Sequence, residues 1–282
     1  MGRTLHGKVV VITGAARGIG LATARAFLRE GAVLGLSDID EVALKHAASE
    51  LEGTVMAAGA DVTDAASLRG FIDRVESELG PVDVMVNNAG IMPTGSVVDE
   101  PDLMARKTVE INVLGVITGT KRALETMLPR GRGVIVTLAS VAGESAVPGL
   151  ATYNASKWGA LGFTLATRAE VAEHGVDVVA VLPAFVNTEL TSGTNGLAGF
   201  KNVEPEMVAQ AIVDAVRRPR AKVYVPRSVG AVVQLTSLLP EGVTRLIGRA
   251  LKAEKVMLDD VDATERRAYL ERISGDGPGA KS

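Results

Sequence analysis

Short apolar runs alternate with helical segments along most of the chain, and this alternation is the strongest constraint on the fold. Seven runs are predicted to be strands, and their continuous apolar character indicates burial on both faces. They are residues 8–13, 32–37, 55–60, 82–86, 133–138, 176–182 and 222–225. The helical patterns between them are residues 19–30, 41–51, 64–79, 102–127, 153–173 and 205–217. Such alternation predicts right-handed βαβ units, and therefore an α/β fold with a doubly wound parallel sheet and helices on both faces.

The chain divides at about residue 226. Residues 1–226 are predicted to be a single Rossmann-type domain, because no break in composition interrupts them. Residues 227–282 are predicted to be a C-terminal extension, mostly helical, with a disordered, frayed end rich in Gly, Pro and Ser. The extension has three interpretations: it packs over a pocket, forms a subunit interface, or lies peripherally on a membrane through basic residues at 243–252. Packing against protein is the default.

The scarce residue types limit the chemistry. The 282 residues include no cysteine, which excludes a thiol nucleophile and thiolate metal sites. The three histidines lie far apart in the sequence, so no metal site is predicted. A formal net charge of −3 argues against nucleic acid as a partner. Without an apolar signal core or an apolar run of roughly 20 residues, a cytoplasmic location is expected.

A glycine-rich turn follows the first predicted strand and opens a helix. Gly14, Gly18 and Gly20 are spaced i, i+4 and i+6, which differs from the GxGxxG pattern but serves the same physics. Glycine lets the backbone approach a pyrophosphate, and the helix N-terminus presents free N–H groups to it. A tight turn needs glycine in any case, so the strand and helix on either side carry the prediction.

Asp38 ends the second predicted strand and bears on the choice of dinucleotide. A carboxylate here can accept hydrogen bonds from both ribose hydroxyls of NAD, and it would repel the 2′-phosphate of NADP. Asp38 has an alternative role as the N-cap of the next helix, for which Asp40 competes. Arg17, in the turn, favours NADP if it pairs with a 2′-phosphate. NAD is the predicted cofactor, with Arg17 pointing to solvent, and NADP is the alternative.

Among three tyrosines, only Tyr153 has a lysine four residues on, at Lys157. One helical turn apart, the two side chains share a face. A nearby ammonium is expected to lower the pKa of the phenol and fit it for acid–base catalysis. Ser140, at the end of the fifth predicted strand, is placed to hydrogen-bond a substrate oxygen. A bare YxxxK pattern is more often an ordinary helix start with an exposed lysine, so the pair alone does not establish a site.

Six motifs in register resemble the short-chain dehydrogenase/reductase family over about residues 5–226. These motifs are Thr13-Gly14 with Gly18-Ile19-Gly20, Asp61-Val62, Asn87-Asn88-Ala89-Gly90, Asn112, Ser140, and Tyr153 with Lys157. The resemblance implies an NAD(P)-dependent catalytic domain in residues 1–226. It also implies an enzyme that interconverts an alcohol and its carbonyl compound by hydride transfer.

The resemblance implies a role for each catalytic candidate. Tyr153 would be the acid/base, and Lys157 would bind the nicotinamide ribose and lower the Tyr153 pKa. Ser140 would orient the substrate oxygen, and Asn112 would hold a water in a proton relay behind Lys157. Without the resemblance, Asn112 would be read as a residue that bends its helix.

The resemblance also extends the set of predicted cofactor-binding residues. Asp61 would face the adenine amino group, and Ala184 stands where the family usually has glycine. The predicted cofactor-binding residues are Gly14, Arg17, Gly18, Ile19, Gly20, Asp38, Asp61, Val62, Asn88, Ala89, Gly90, Tyr153, Lys157, Pro183, Val186 and Thr188.

The expected pocket walls are apolar, which predicts a small lipophilic alcohol or ketone as substrate. They are Ile91, Met92, Val141, Ala142, Val147, Leu150, Phe185, Leu190 and Leu197. Residues 191–199 are predicted to be a mobile lid. The family implies a homodimer or homotetramer, formed through residues 102–127 and 153–173. The alternative function is a non-catalytic NAD(H)-binding redox sensor on the same fold.

Overall fold

The computed structural model describes residues 3–194, 202–237, 242 and 262–274. Seven strands form one parallel sheet in the order β3-β2-β1-β4-β5-β6-β7. They are β1 Val9–Thr13, β2 Val33–Asp38, β3 Val55–Gly59, β4 Val84–Asn87, β5 Gly133–Leu138, β6 Val176–Pro183 and β7 Lys222–Val225. The predicted fold class is confirmed, and each strand lies within two residues of its predicted bounds. Strand order reverses between β1 and β4, which opens a crevice at the carboxyl ends of the strands.

The helices follow the predicted alternation. They are α1 Gly18–Arg29, α2 Glu41–Ser49, α3 Ala65–Leu79, α4 Asp102–Val109, α5 Gly115–Arg130, α6 Ala151–Glu170, α7 Pro205–Arg217, α8 Arg227–Ser237 and α9 Ala263–Ser274. The predicted helix 102–127 is α4 and α5 joined by a π-helical segment, Glu110–Leu114. It continues to Arg130 because Gly131, with φ of 59°, adopts the left-handed conformation that ends it.

The sheet separates two hydrophobic layers. Alternate residues of the strands pack with α1, α2 and α7 on one face. The intervening residues pack with α3 and α5, and with Leu161 of α6, on the other. Burial on both faces explains why the strands are continuously apolar in sequence.

The C-terminal extension is described in two parts, α8 and α9. Helix α9 packs over the carboxyl edge of the sheet, through Tyr269 and Ile273 against Ile91. This agrees with the interpretation that the extension packs on the pocket. The basic residues at 243–252 and the predicted frayed end beyond Ser274 lie outside the described residues, and the division at about residue 226 stays a prediction. Within the described ranges, no helix is long and apolar enough to cross a membrane.

Candidate active site

A cavity of about 1060 Å³ lies at the carboxyl ends of the strands. Its walls come from the segments that follow β1 to β6, and from α6 and α9. Every residue predicted for catalysis or cofactor binding lines it except Gly20 and Asn112. Every expected wall residue lines it too, except Leu197, which lies outside the described residues.

The glycine-rich turn has the shape that an anion site requires. Gly14 has φ of 66° and approaches the next turn so closely that an added Cβ would lie 2.8 Å from Ala89 Cα. An added Cβ at Gly20 would lie 2.1 Å from Gly14 O, so Gly20 serves the turn and not the cavity surface. Helix α1 has no side-chain cap and no acidic residue in its first turn, so its N–H groups can receive a phosphate. The turn therefore fits a dinucleotide.

Asn88 and Thr13 hold this turn at the point where the strand order reverses. Asn88 Nδ2 donates to the carbonyls of Thr13 and Gly14, each at 2.9 Å. Thr13 Oγ1 accepts from the N–H groups of Asn88 at 3.1 Å and Ala89 at 3.2 Å. These bonds join the ends of β1 and β4, so the phosphate turn is fixed against the floor of the cavity.

Asp38 and Asp40 divide the two roles that the sequence left open. Asp40 caps α2, where its Oδ1 accepts from the Ala43 N–H at 3.0 Å, so the alternative that Asp38 is the cap was wrong. Asp38 Oδ2 accepts from the Ala16 N–H at 3.0 Å, and its Oδ1 accepts from the Asp40 N–H at 3.1 Å. Each carboxylate oxygen keeps a further lone pair for a ribose hydroxyl.

Arg17 does not point to solvent, which corrects the prediction for its side chain. Its Nη2 lies 2.5 Å from Asp40 Oδ2, and its Nε lies 3.8 Å from Glu189 Oε2. Burial raises the pKa of Asp40, but hydrogen bonds from the Ala43 N–H and from Arg17 lower it more. The sequence did not indicate that Asp40 could both cap α2 and pair with Arg17.

Asp61 and Val62 line the cavity after β3. Asp61 Oδ1 accepts from the N–H of Thr63 at 2.8 Å and from its hydroxyl at 2.7 Å. The carboxylate is thereby fixed within its own turn. Its contact with an adenine amino group stays a prediction.

Ser140, Tyr153 and Lys157 come together at the buried end of the cavity. Tyr153 lies in the first turn of α6, and its hydroxyl is close enough to that of Ser140 for the serine to lower the pKa of the phenol. Ser140 Oγ also accepts from the Ala142 N–H at 3.1 Å, which fixes its position. Lys157 Nζ donates to the Leu138 carbonyl at 2.8 Å and lies 5.7 Å from the centroid of the Tyr153 ring. Lys157 is buried, so the reading of an exposed lysine was wrong.

The pKa of Tyr153 is raised, contrary to the lowering expected from Lys157. Burial is the main cause, and the hydrogen bond with Ser140 opposes it. Burial also lowers the pKa of Lys157 to about 8. The ammonium lies over the ring of Tyr153, so desolvation of both groups outweighs their proximity.

Asn112 lies behind the cavity, in the π-helical segment. Its Oδ1 accepts from the Ile91 N–H at 2.9 Å, and its Nδ2 donates to Ile91 O and Ser156 Oγ, each at 2.9 Å. An added Cβ at Gly90 would lie 3.1 Å from Asn112 Oδ1 and 3.6 Å from Lys157 Nζ. Asn112 thus holds the strand-end segment that faces Lys157, and its role in a proton relay stays a prediction. π-Helical segments are frequent at functional sites.

The segment after β6 forms the wall beside the phosphate turn. Pro183, Val186 and Thr188 line the cavity, and Thr188 packs against Gly18. Thr191 Oγ1 donates to the Val186 carbonyl at 2.6 Å and ends a short 3-10 turn, Glu189–Thr191. The start of the predicted lid is therefore bonded to the wall, and residues 195–199 lie outside the described residues.

Helix α9 contributes site residues that the sequence analysis missed. Tyr269 and Arg272 line the cavity, and buried Arg266 anchors the helix beneath them. Tyr269 has no lysine four residues on, so the spacing that points to Tyr153 does not point to it. A faint signal was present, since Tyr269, Leu270 and Ile273 form an apolar stripe within a highly charged segment.

Comparison with known proteins agrees with the family that the sequence motifs resemble. A family model described as short chain dehydrogenase matches residues 8–196. The 17-beta-hydroxysteroid dehydrogenase 13 of Rattus norvegicus is 32% identical over 253 residues, which cover 88% of this chain and 84% of that protein. The estradiol 17-beta-dehydrogenase 11 of Homo sapiens is 31% identical over 258 residues, which cover 89% of this chain and 86% of that protein.

A solved structure agrees in fold. The crystal structure of a short chain dehydrogenase/reductase from Burkholderia phymatum in complex with NAD superposes with a TM-score of 0.76. It is 26% identical and covers 83% of this chain and 94% of that chain. The glycine turn, the cavity with Ser140, Tyr153 and Lys157, and these matches lead to one conclusion. The chain belongs to the short-chain dehydrogenase family, whose members bind NAD(H) or NADP(H), and it is an oxidoreductase that acts on CH–OH donors.

Proposed function

We propose that this protein interconverts a lipophilic alcohol, secondary or primary, and its carbonyl compound, with Tyr153 as the acid/base and NAD(H) as the redox partner. The observation that carries the proposal is the placement of Ser140 and Tyr153 together at the end of a largely apolar cavity, with Lys157 one turn away. When bound, the nicotinamide ring supplies the hydride acceptor or donor.

Ser140 and Tyr153 have different roles in the proposed proton transfer. Ser140, fixed by the Ala142 N–H, orients the substrate oxygen, and Tyr153 gives that oxygen a proton in reduction or takes it in oxidation. With its raised pKa, Tyr153 is protonated at neutral pH, which is the form that reduction of a carbonyl requires. Oxidation needs the phenolate, so its rate is expected to rise with pH. The proposed role of Lys157, which lines the cavity, is to bind the ribose hydroxyls.

The lining of the cavity supports a lipophilic substrate. Apart from Ser140, Lys157 and Tyr269, the side chains around Tyr153 form a hydrophobic cluster that packs against it. This cluster contains Met92, Ala142 and Leu150, with Val147, Phe185 and Leu190 beside it. Two relatives carry hydroxysteroid or estradiol dehydrogenase names, so estradiol and simple lipophilic ketones are the first compounds to test.

The charges near Asp38 support NAD over NADP. Asp38 ends β2 with a carboxylate at the cavity, and Arg17, the cation of the turn, is already paired with Asp40. A 2′-phosphate would be repelled by the carboxylate of Asp38, and Arg17 would not be free to pair with it. We expect NADH to bind at least about tenfold more tightly than NADPH, and Asp38→Ser to reduce that ratio. Equal affinities in a fluorescence titration of the wild-type protein would contradict the role of Asp38.

Tyr153→Phe tests the catalytic assignment. Removing one hydroxyl is expected to lower kcat by at least about 100-fold while NADH affinity stays within about twofold. Tyr224→Phe is the matched control, because the Tyr224 hydroxyl donates to Glu144 at 2.7 Å, outside the cavity. Turnover by Tyr153→Phe at near the wild-type rate would refute the acid/base role. Saturable NADH binding by the wild type, with no turnover of any alcohol or ketone, would favour the redox sensor.

The surface of α6 supports assembly into a homodimer or homotetramer. Four small residues on this helix are exposed, and Trp158 beside them is 54% exposed. The four are Ala155, Gly159, Gly162 and Ala166, whereas Ala160 is buried beneath them. Small residues permit close contact with a second copy of the helix. Gly159→Arg is expected to reduce the mass measured by light scattering, and an unchanged mass would place the interface elsewhere.

A further inference from the structure

Helix α9 forms a wall of the catalytic cavity. Tyr269 and Ile273 pack against Ile91, and Leu190 lies beside them. The same helix face lines the cavity that contains Ser140 and Tyr153, and the phenols of Tyr269 and Tyr153 are close enough to interact electrostatically. The second phenol therefore faces the space where the proposed substrate would lie.

Arg266 fixes α9 relative to two other walls. Arg266 is 1% exposed, and its guanidinium donates to the carbonyl of Met92, after β4, and to those of Leu190 and Ser192, after β6. The bond to Leu190 O is 2.6 Å. Its Cζ lies 4.4 Å from the centroid of the Tyr269 ring. Backbone acceptors and ring stacking thus hold the aromatic side chain in one position.

The Tyr269 hydroxyl makes only one of the two kinds of hydrogen bond that a phenol can form. Its oxygen accepts from the Met92 N–H at 2.8 Å, and the side chain is 5% exposed. A phenol also donates one proton. Among the residues that the structure describes, no acceptor for that proton lies within hydrogen-bonding distance. Burial raises the pKa of Tyr269, so the proton stays in place. This donor faces the cavity, where a ligand oxygen can accept its proton in place of water.

We propose that Tyr269 is a specificity-determining residue that donates a hydrogen bond to a second oxygen of the substrate, away from the carbon that reacts at Tyr153. The inference rests on the proposed function and deepens it. The favoured substrate is then a mainly apolar molecule with two oxygen functions, one at each phenol. A hydrocarbon chain or ring with one carbonyl alone would leave the Tyr269 proton unpaired.

A double comparison tests this assignment. The ligands are 2-undecanone and its diones 2,6-, 2,8- and 2,10-undecanedione, in which the added oxygen can only accept a hydrogen bond. Binding is measured by calorimetry with NAD⁺ present, because NAD⁺ cannot reduce a ketone and no turnover intervenes. The wild type is expected to bind at least one dione roughly 3- to 10-fold more tightly than the monoketone.

Tyr269→Phe should remove that difference and leave the monoketone affinity within about twofold. Tyr224→Phe, whose hydroxyl lies outside the cavity, should keep it. If Tyr269→Phe weakens all four ligands equally, Tyr269 acts only by holding Met92, and the assignment is wrong. If the wild type binds no dione more tightly than the monoketone, the assignment is also wrong, whatever the turnover. Failure of the proposed function is a separate result, an absence of ketone reduction with NADH.

Discussion

Burial, more than proximity, sets the protonation of the two groups at the centre of the site. Tyr153 keeps its proton and Lys157 gives its proton up more easily, because the charged form of each is poorly solvated. This has a consequence for stability. The ammonium of Lys157 costs free energy in the folded state wherever it is charged there.

Replacing Lys157 by Met should therefore alter the pH dependence of unfolding. Below about pH 8 the lysine is protonated in both states, and its full cost is present. As pH rises toward 10, the folded state releases the proton before the unfolded state does, so wild-type stability rises. The gain relative to Lys157→Met is about 2 kcal/mol between pH 7.5 and 10, measured by urea unfolding without cofactor. Parallel stability curves for the two proteins would show that Lys157 titrates normally. Tyr153 has the opposite effect, but only above about pH 10.

The pairing of Arg17 leads to a prediction about cofactor choice. Asp40→Asn keeps a good N-cap for α2 and removes the charge that holds Arg17. The freed guanidinium can then pair with a 2′-phosphate, so NADPH affinity should rise by about fivefold while NADH affinity changes little. The double variant with Arg17→Ala should lose the gain. A gain that persists in the double variant would mean that lost repulsion from Asp40, and not Arg17, is responsible.

At the scale of elements, the contact of β2 with α3 depends on one glycine. Gly35 is buried in β2, and an added Cβ would lie 2.5 Å from Val75 Cγ2 of α3. Gly35→Ala should therefore push the helix from the sheet and lower the free energy of unfolding by about 1–3 kcal/mol.

Gly70→Ala is the matched control for this contact. Gly70 lies on the exposed side of α3, and nothing lies within 4 Å of its added Cβ. The substitution should stabilise the protein by about 1 kcal/mol through helix propensity alone. Urea midpoints that shift in the same direction for both variants would contradict the close packing of Gly35.

The elements and the catalytic pair could be predicted because their signals are local. The apolar run of each strand spans four to eight residues, and Tyr153 and Lys157 are four residues apart. The pairing of Arg17 with Asp40 spans 23 residues, and the bonds from α9 to Met92 span 174 and 177. No local sequence pattern indicates which distant backbone carbonyls will accept hydrogen bonds from Arg266. The raised pKa of Tyr153 was missed for a related reason, because spacing gives neighbours but not solvent exposure.

At the scale of the molecule, α9 joins the walls of the cavity without contributing to the sheet. Arg266 donates to the segments after β4 and β6, and Arg272 pairs with Glu189, which lies 3.8 Å from the Nε of Arg17. The C-terminal helix is thus connected through hydrogen bonds and charges to both the substrate wall and the phosphate turn. Its stability should depend on these contacts and not on the central strands.

Arg266→Ala should destabilise α9 without affecting the central strands of the sheet. Loss of three hydrogen bonds from a buried cation is expected to accelerate amide exchange in α9 by at least about tenfold. Exchange in β1, β4 and β5 should be unchanged, because α9 adds nothing to their pairing. Arg267→Ala removes an exposed arginine from the same helix and should leave both regions as they are. If hydrogen–deuterium exchange instead accelerates equally in α9 and the strands, the helix and the sheet unfold as one cooperative unit, and α9 is integral to the catalytic domain.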